Sequence, residues 1–203
     1  MSDIWVPHML GLDVGFRKTG YSVFEIGKVN DELIFANTLV QEKDESKVTS
    51  SVQKDLFAIY DLLDGLDKVF AKWKPSAVFC EIPSAGSQGA RAGRCMGIAT
   101  GLIVAYLRYR NVKYELFTPS EVELNLGVKL TAQAAKKRGF KKGQATKWKK
   151  ERLCEVVVNN WPFFDGWPAR KDVAEDAIDS AAAFISGRIA SDIYKRIKEQ
   201  VNV

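Results

Sequence analysis

The stretch DVAEDAIDSAAAFISG (residues 172–187) is the most informative part of this chain. Its alanines predict a helix that sinks into the core, yet its first two turns hold Asp172, Glu175, Asp176 and Asp179. Asp176 and Asp179 are three residues apart and therefore share one helix face, where like charges repel by roughly 0.2–0.5 kcal/mol. Acids are also favoured near a helix N-terminus by the helix dipole. The stretch is therefore either an ordinary acidic first turn or one side of a functional site.

The composition predicts one globular domain. The chain has 203 residues, a hydrophobic fraction of 46% and five tryptophans, which suffice for a sizeable core and argue against disorder. No apolar run approaches the ~20 residues that a bilayer-spanning helix needs. The opening MSDIWVPHML has neither the basic region nor the long apolar region of a secretion signal. We therefore expect a soluble intracellular protein.

The scarcity of histidine and the spacing of cysteine exclude several kinds of site. His8 is the sole histidine, so a histidine-rich metal site is impossible and a Ser/His/Asp triad is disfavoured. Cys80, Cys95 and Cys154 are scattered and lack CxxC spacing, which indicates neither a disulfide framework nor a zinc site. Any catalysis therefore depends on carboxylates, lysines or a metal ion.

The net charge of +5 is concentrated in one segment. Residues 129–152, KLTAQAAKKRGFKKGQATKWKKER, contain ten lysines and arginines against one glutamate. The remaining 20 basic and 24 acidic residues leave the rest of the chain with a net charge of −4. A basic segment on an acidic body is typical of a protein that binds a polyanion. The same run of charges also suits an ordinary solvated helix face.

Hydrophobic periodicity predicts a mixed sheet with helices on its faces. Three strands at hairpin spacing open the chain, in HMLGLDVG, GYSVFEIG and ELIFANTLV. An amphipathic helix from about 50 to 73 follows, and two further strands, in PSAVFCEIP and VKYELFTP, then alternate with helices. Strands first and then strand–helix alternation favour an α/β fold. The polar stretch SAGSQGARAG (residues 84–93) is expected to be a loop before a helix that starts at Arg94.

Acidic residues stand at the ends of two predicted strands. Asp13 ends the first strand and Glu81 ends the fourth, in an otherwise apolar run. If these strands are parallel neighbours, the two acids lie side by side at the edge where open α/β sheets build their sites, and the last helix adds Asp176 and Asp179. Four such carboxylates need a counter-charge, which Mg²⁺ or Mn²⁺ supplies through oxygen ligands. We therefore expect two divalent ions per site, able to promote phosphodiester hydrolysis.

These motifs resemble one known family. LGLDVGFRKTGYSV, VFCEIP and AEDAIDSAAAFI, in this order and on these elements, are similar to the motifs of the RuvC-type Holliday-junction resolvases, within the RNase H-like superfamily. The resemblance spans about residues 9–189. It implies an RNase H-like mixed five-stranded sheet flanked by helices, in a single nuclease domain over residues 1–203 with a basic insertion at about 129–152. That insertion looks longer than in bacterial members. By its length the chain is more similar to a phage, viral or organellar branch of the family.

The resemblance implies a crossover junction endodeoxyribonuclease, a metal-dependent hydrolase that resolves four-way or other branched DNA in recombination and repair. Asp13, Glu81, Asp176 and Asp179 would be the metal ligands and catalytic acids, with Mg²⁺ or Mn²⁺ as the cofactor. Members of this family act as homodimers. The resemblance also implies a cytoplasmic location, on a nucleoid or in a host cytoplasm, with an organelle as the alternative.

Several positions depart from the family pattern. Glu123 stands near the place of a basic residue that follows the family's fifth strand. By the resemblance, Lys147 stands at the position of the family's second active-site lysine and would be a catalytic residue. Lys149 and Lys150 are close to it in the sequence. The loop after the fourth strand lacks the aromatic wedge of bacterial members, so a wedge would come from elsewhere, for example Phe140.

The remaining expectations concern DNA binding and assembly. The expected DNA-binding residues are Arg91, Arg94, Lys136, Lys137, Arg138, Phe140, Lys141, Lys142, Lys149 and Lys150. Glycines at 139 and 143 are expected to make the basic segment a flexible finger. Gly97 and Gly101 are four apart on an apolar helix, where they either admit the helix of a second subunit or pack against their own sheet.

Two other functions remain open. The first is a protein of the same fold that binds branched or single-stranded nucleic acid without cutting it, with Trp148 and Phe140 stacking on bases. The second is a sugar-kinase-like phosphotransferase, because those proteins also open with Asp-x-Gly, here Asp13 and Gly15. Such a kinase needs a second nucleotide-binding half, for which this chain is too short. Junction cleavage, binding alone or ATP turnover distinguishes the three.

Overall fold

The computed structural model describes residues 6–40, 50–83, 89–141 and 143–202. In these ranges the chain forms five strands and seven helices. None of these seven helices is both long and apolar enough to cross a membrane. The elements are β1 (His8–Asp13), β2 (Lys18–Ile26), β3 (Asp31–Val40), α1 (Ser51–Trp73), β4 (Ala77–Glu81), α2 (Ala90–Tyr109), β5 (Lys113–Phe117), α3 (Pro119–Asn125), α4 (Ala132–Lys137), α5 (Gln144–Asn160), α6 (Lys171–Ala190) and α7 (Asp192–Val201).

The five strands form one mixed sheet. Their order is β3-β2-β1-β4-β5, with β2 antiparallel to both of its neighbours and β4 parallel to both of its own. Helices α1 and α2 provide the long crossovers that lead into β4 and β5, as parallel pairing requires. This arrangement confirms the expected α/β fold, a mixed five-stranded sheet flanked by helices.

Alternation along β1 divides the core between the two faces of the sheet. Met9 is buried with side chains of α3, α5, α6 and α7, whereas Leu10, Leu12 and Val14 are buried with those of α1 and α2. Successive side chains of a strand point to opposite faces. Asp13 therefore points to the face that α6 covers, and Val14 points to the face of α1 and α2.

Helix α6 approaches the sheet closely because two glycines lie beneath it. A Cβ atom on Gly11 would be 2.0 Å from the carbonyl oxygen of Ser180, and one on Gly20 would be 1.9 Å from the carbonyl oxygen of Asp176. Real Cβ atoms are not found at such distances, so any side chain at these two strand positions would push the helix outward. The glycines of β1 and β2 thus set the distance between α6 and the strands.

The helix itself contributes small side chains to the same contact. Its fully buried alanines are Ala177, Ala181, Ala182 and Ala183. Near the start of α6, Thr38 Oγ1 of β3 donates a buried hydrogen bond of 2.9 Å to the carbonyl oxygen of Val173. The alanine-rich sequence therefore has a packing reason, since its small side chains let this part of the helix lie directly on the strands.

One helix boundary differs from the expectation, and one helical region is divided. Helix α2 begins at Ala90, so Arg91, expected in a loop, lies on its first turn, one turn before Arg94. The last helical region is divided at Ser191, which has an extended backbone and whose Oγ accepts a hydrogen bond of 3.0 Å from the N–H of Ile193. A serine in this role begins a new helix, and the separate helix α7 follows from it.

In its described residues, the basic segment contains the short helix α4 and the start of α5, and the flexible finger expected there stays a prediction. Helix α4 ends where the N–H groups of Gly139 and Phe140 donate to the carbonyl oxygens of Lys136 and Ala135, at 3.0 and 3.1 Å. This pair of hydrogen bonds is the Schellman motif, which requires a residue with a left-handed backbone conformation. Gly139 is that residue, with φ 72°. Gly143, with φ 83°, precedes α5. Both glycines are therefore turn residues.

We expect Gly20→Ala to lower the free energy of unfolding by about 3 kcal/mol, because the new Cβ atom would force α6 away from β2. Gly93→Ala is the matched control. A Cβ atom there meets nothing within 4 Å and replaces a helical glycine, so stability should be unchanged or rise by up to about 1 kcal/mol. Urea unfolding followed by circular dichroism measures both variants. Equal stabilities would contradict the close contact.

Candidate active site

The parallel pairing of β1 and β4 brings two carboxyl groups to one edge of the sheet. Asp13 and Glu81 are partner positions at the C-terminal ends of these strands, and the N–H of Val14 donates to the carbonyl oxygen of Glu81 at 2.9 Å. This register confirms that the two strands are parallel neighbours. By the alternation of each strand, both carboxyl groups lie on the face that α6 covers.

Helix α6 adds Asp176 and Asp179 to the same place. Burial, followed by the negative charges of Asp179 and Asp176, raises the pKa of Asp13 to about 8. Burial, followed by Asp13 and Asp179, raises the pKa of Glu81 to about 8. Burial also raises the pKa of Asp176, and that of Asp179 to about 6. These four carboxyl groups thus influence one another, and we call them the acidic cluster.

The other two acids of α6 have cations of their own. Asp172 Oδ2 lies 2.8 Å from Arg170 Nη2 and 2.6 Å from Lys18 Nζ, and hydrogen bonds from these two cations hold the pKa of Asp172 below its usual range. Glu175 Oε2 lies 3.6 Å from Lys150 Nζ. Within the part of the chain that the structure describes, no salt bridge reaches the acidic cluster itself. The charged helix therefore combines two acids that form salt bridges, Asp172 and Glu175, with a pair, Asp176 and Asp179, that forms none within the described residues.

Lys150 is the lysine whose charge acts on most of the acidic cluster, while Lys18 acts on Asp176. The charge of Lys150 opposes the rise in pKa that burial causes in Asp13, Asp176 and Asp179. Lys147, the expected active-site lysine, lies 3.7 Å from Glu151 one turn along α5, and its side chain is 78% exposed. The structure thus brings Lys150, three residues further along the same helix, to the carboxyl groups.

Glu123 lies beside the acidic cluster, where the resemblance places a basic residue. It belongs to α3, and its charge adds to the effect of burial in raising the pKa of Glu81. Lys149 of α5 forms a salt bridge with Glu123, and both side chains are half-buried. Lys149, expected to bind DNA, is therefore paired with a carboxylate of the same chain.

The basic segment presents a row of cations beside α5, which we call the basic surface. Its exposed members are Lys136, Lys137, Arg138 and Lys141. Lys142, also expected to bind DNA, lies outside the described residues. The candidate wedge Phe140 is half-buried, with its ring centre 6.3 Å from that of Trp148. The guanidinium of Arg138 lies over the same indole at 5.0 Å. Phe140 would have to leave this contact to enter a DNA junction.

Arg91 and Arg94 converge on a carboxylate that was not among the predicted site residues. Their Nη2 atoms lie 3.2 and 3.0 Å from the two carboxylate oxygens of Asp55, and Arg17 Nη2 lies 3.9 Å from the first of these oxygens. One signal for Asp55 was present in the sequence. Asp55 lies one helical turn before Ile59 on the apolar face of α1, and a charge on an apolar helix face requires a partner.

The acidic cluster has the donor chemistry that a hard divalent cation requires. Its donors are carboxylate oxygens, which Mg²⁺ and Mn²⁺ prefer, and Asp176 Oδ2 is buried without a hydrogen-bond partner. In the described ranges, no three His, Cys, Asp or Glu side chains are placed so that they could hold an ion without moving. Because like charges keep carboxylates apart, ligation would require these side chains to close on the ion.

The fold of this chain is similar to that of solved Holliday-junction resolvases. Thermus thermophilus RuvC in complex with a Holliday junction substrate matches with a TM-score of 0.62 and 14% identity, over 94% of this chain and 96% of that chain. A second Thermus thermophilus RuvC structure matches over the same shares, with a TM-score of 0.57 and 15% identity. The yeast mitochondrial Holliday junction resolvase Ydc2 matches with a TM-score of 0.51 and 17% identity, over 98% of this chain and 86% of that chain.

Comparisons of sequence add no family to this finding. No protein-family model matches the chain, and no curated protein matches it. At identities this low, structural similarity establishes the fold, which is RNase H-like. The activity therefore has to be inferred from the residues of the site.

The raised pKa values imply that the metal-free protein loses stability as the pH rises. A carboxyl group whose pKa is higher in the folded than in the unfolded state contributes stability that is complete below its ordinary pKa, about 4, and is lost as the pH passes the folded value. The folded pKa is about 6 for Asp179 and about 8 for Asp13. We expect a loss on the order of 3 kcal/mol between pH 5 and pH 8.5, measured by thermal unfolding in the presence of a chelator.

Two variants and an added ion make this expectation specific to the acidic cluster. Asp13→Asn should remove much of the loss, whereas Asp192→Asn, on an exposed acid of α7, should not. Mg²⁺ or Mn²⁺ should raise the melting temperature more at pH 8 than at pH 5.5, because protons compete with the ion for the carboxylates. An equal effect of the ion on the wild type and on Asp13→Asn would contradict metal binding at the cluster.

Proposed function

We propose that this chain is a divalent-metal-dependent, structure-selective endonuclease of the RuvC type, which hydrolyses phosphodiester bonds in four-way or other branched DNA. The observation that carries the proposal is the acidic cluster, formed by Asp13, Glu81, Asp176 and Asp179 from two strand ends and one helix. The RNase H-like fold supports the same class of activity, because it brings carboxyl groups together at the C-terminal edge of the sheet, where a pair of metal ions would bind.

In this proposal the four carboxylates hold the ions and the rest of the fold holds the carboxylates. Two Mg²⁺ or Mn²⁺ ions at the acidic cluster would activate a water molecule and stabilise the leaving oxygen. The paired ends of β1 and β4 fix Asp13 and Glu81, and the packing of α6 on the glycines of β1 and β2 fixes the other two. Such rigid support limits the reorganisation that hydrolysis would otherwise require.

Lys150 is proposed to assist at the scissile phosphate, in the role that the resemblance gave to Lys147. Its charge acts on three carboxyl groups of the acidic cluster, and its side chain is 64% exposed, so its ammonium can reach a phosphate in front of the cluster. Glu175, 3.6 Å away, would hold it in position. A fixed cation stabilises the charge that develops on phosphate during hydrolysis.

The basic surface is proposed to hold the DNA backbone outside the site. The proposed DNA contacts are Arg91, Arg94, Lys136, Lys137, Arg138, Phe140, Lys141, Lys142, Lys149 and Lys150. Cations that neutralise phosphates release counterions and make binding depend on salt. We also propose that residues 1–203 form one nuclease domain, in which the basic segment at about 129–152 is an insertion that extends the DNA-binding face.

A homodimer is proposed because paired cuts in a four-way junction need two active sites. A Cβ atom at Gly97 or Gly101 of α2 would meet nothing within 4 Å, so these glycines do not pack against their own sheet. They leave a shallow helix surface on which the helix of a second subunit could lie closely. A monomer in sedimentation velocity at micromolar concentration, with and without DNA, would contradict this assembly.

Asp13→Asn and Asp179→Asn should each abolish cleavage of a synthetic four-way junction in Mg²⁺, because each removes a metal ligand. Binding should be retained or become tighter, since less negative charge then faces the phosphates. Glu155→Gln, which changes an exposed acid of α5 paired with Arg152, is the control and should cut normally. Cutting at the normal rate by both aspartate variants would refute the assignment, and binding without any cutting by the wild type would favour a non-cleaving binding protein.

Lys150→Met should reduce the cleavage rate at saturating DNA by about 100-fold, the usual effect of removing one charged group that stabilises a transition state. Lys147→Met is the matched control on the same helix, and its rate should change less than threefold, because Lys147 pairs with Glu151 away from the cluster. Single-turnover kinetics measure both. The reverse order of effects would return the catalytic role to Lys147.

A further inference from the structure

A second charged group lies at the same edge of the sheet as the acidic cluster, on the opposite face. It consists of Asp55 on α1, Arg17 in the turn between β1 and β2, and Arg91 and Arg94 on α2, and we call it the arginine cluster. The side chain of Asp55 is 7% exposed, whereas those of the three arginines are 44%, 58% and 52% exposed. The guanidiniums therefore cover the carboxylate and themselves face the solvent.

The arginine cluster holds more positive charge than its carboxylate can neutralise. Among the residues that the structure describes, three guanidiniums surround one carboxylate, which leaves a surplus of two positive charges. A carboxylate accepts about four hydrogen bonds, whereas each guanidinium has five N–H donors. A salt bridge that merely joins α1 to α2 needs a single arginine, as at the other end of these helices, where Arg110 pairs with Asp67. The surplus suits an anionic ligand.

All members of the cluster except Arg94 line a cavity that opens where β1 and β4 end. The cavity has a volume of about 580 Å³, and Val14, Gly15 and Pro83 line it together with Arg17, Asp55 and Arg91. Val14 directly follows Asp13, and Pro83 is two residues beyond Glu81. The strand ends therefore have the acidic cluster on one face and the arginine cluster on the other.

The beginning of α2 contributes to the same positive region. Arg91 and Ala92 belong to its first turn and line the cavity. Within the described ranges, no side chain caps this end of the 20-residue helix, which starts after Gly89. The N-terminal N–H groups of a helix favour anions, and here they lie beside three guanidiniums.

We propose that the arginine cluster is a binding site for a backbone phosphate of the DNA strand that enters the acidic cluster, with Asp55 as the positioning residue that holds the three guanidiniums together. The proposal rests on the nuclease function proposed above. Guanidiniums recognise phosphate through paired N–H donors, and their shared carboxylate orders them before the strand arrives, which reduces the entropy lost on binding. A strand that crosses the sheet edge would then contact both clusters, and the arginines would orient it.

Salt-dependent binding of a four-way junction tests the site, in the Asp179→Asn background so that cleavage does not interfere. Arg17→Gln should flatten the slope of log affinity against log salt by about 0.7 to 0.9. The melting temperature should not change, because Arg17 is the arginine farthest from Asp55. Arg110→Gln is the control and should leave the slope unchanged. Arg110 is about as exposed as Arg17, and it pairs with Asp67 at the other end of α1 and α2. An unchanged slope in Arg17→Gln overturns the proposal.

Asp55→Asn separates positioning from simple charge by the sign of its effect. The substitution adds one net positive charge, so electrostatics alone would tighten DNA binding. If Asp55 positions the guanidiniums, binding should weaken by about 3- to 10-fold at low salt instead. Tighter or unchanged binding overturns the positioning role. If Asp55→Asn unfolds the protein, the Arg17→Gln measurement decides the matter.

The results also separate this site from the nuclease activity. A wild type that cuts junctions, together with an unchanged slope in Arg17→Gln, retains the nuclease and rejects the phosphate site. A flattened slope in Arg17→Gln, together with a wild type that never cuts, retains the phosphate site and rejects the nuclease. A protein that binds no DNA rejects both.

Discussion

The direct contact of helix α6 with strands β1 and β2 is the constraint on which the rest of this structure depends. Gly11 and Gly20 leave no room for a side chain between the strands and the helix backbone, and the alanines of α6 leave none on the other side. Close packing of this kind has little freedom to relax. It fixes the height and the rotation of α6, and with them the positions of Asp176 and Asp179 beside the strand ends.

The same contact imposes an electrostatic cost. It buries like charges together, and the raised pKa values of Asp13 and Glu81 express that cost as a preference for protonated carboxyl groups. A structure selected for stability alone would pair each of these acids, as it pairs Asp172 with Arg170 and Lys18. Uncompensated carboxylates at the edge of a rigid sheet are instead typical of a site in which an external cation completes the charge balance.

The two faces of the sheet edge have complementary chemistry. Acids on the α6 face are suited to metal ions, and arginines on the α1 and α2 face are suited to phosphate. Asp13 belongs to the first group, and the next residue, Val14, lines the cavity of the second. The alternation of a β-strand produces this division without any additional structure. A polyanion that needs both a reacting site and a fixed register along its backbone fits such an edge.

The sequence by itself determined the order of the strands and long helices, the mixed sheet and the strand-end positions of Asp13 and Glu81, because periodicity and turn residues are local and each strand assigns its side chains to faces. It also indicated the shared face of Asp176 and Asp179 from their spacing. It did not reveal the short helix α4 or the separate helix α7. Only the tertiary structure decided which cations meet which acids. Lys147 and Lys150 are one helical turn apart and chemically identical, and the packing of α5 against α6 brings Lys150 to the carboxylates. Asp55 meets Arg91 and Arg94 across 36 and 39 residues, because contacts between elements depend on how helices pack on the sheet, which no local pattern specifies.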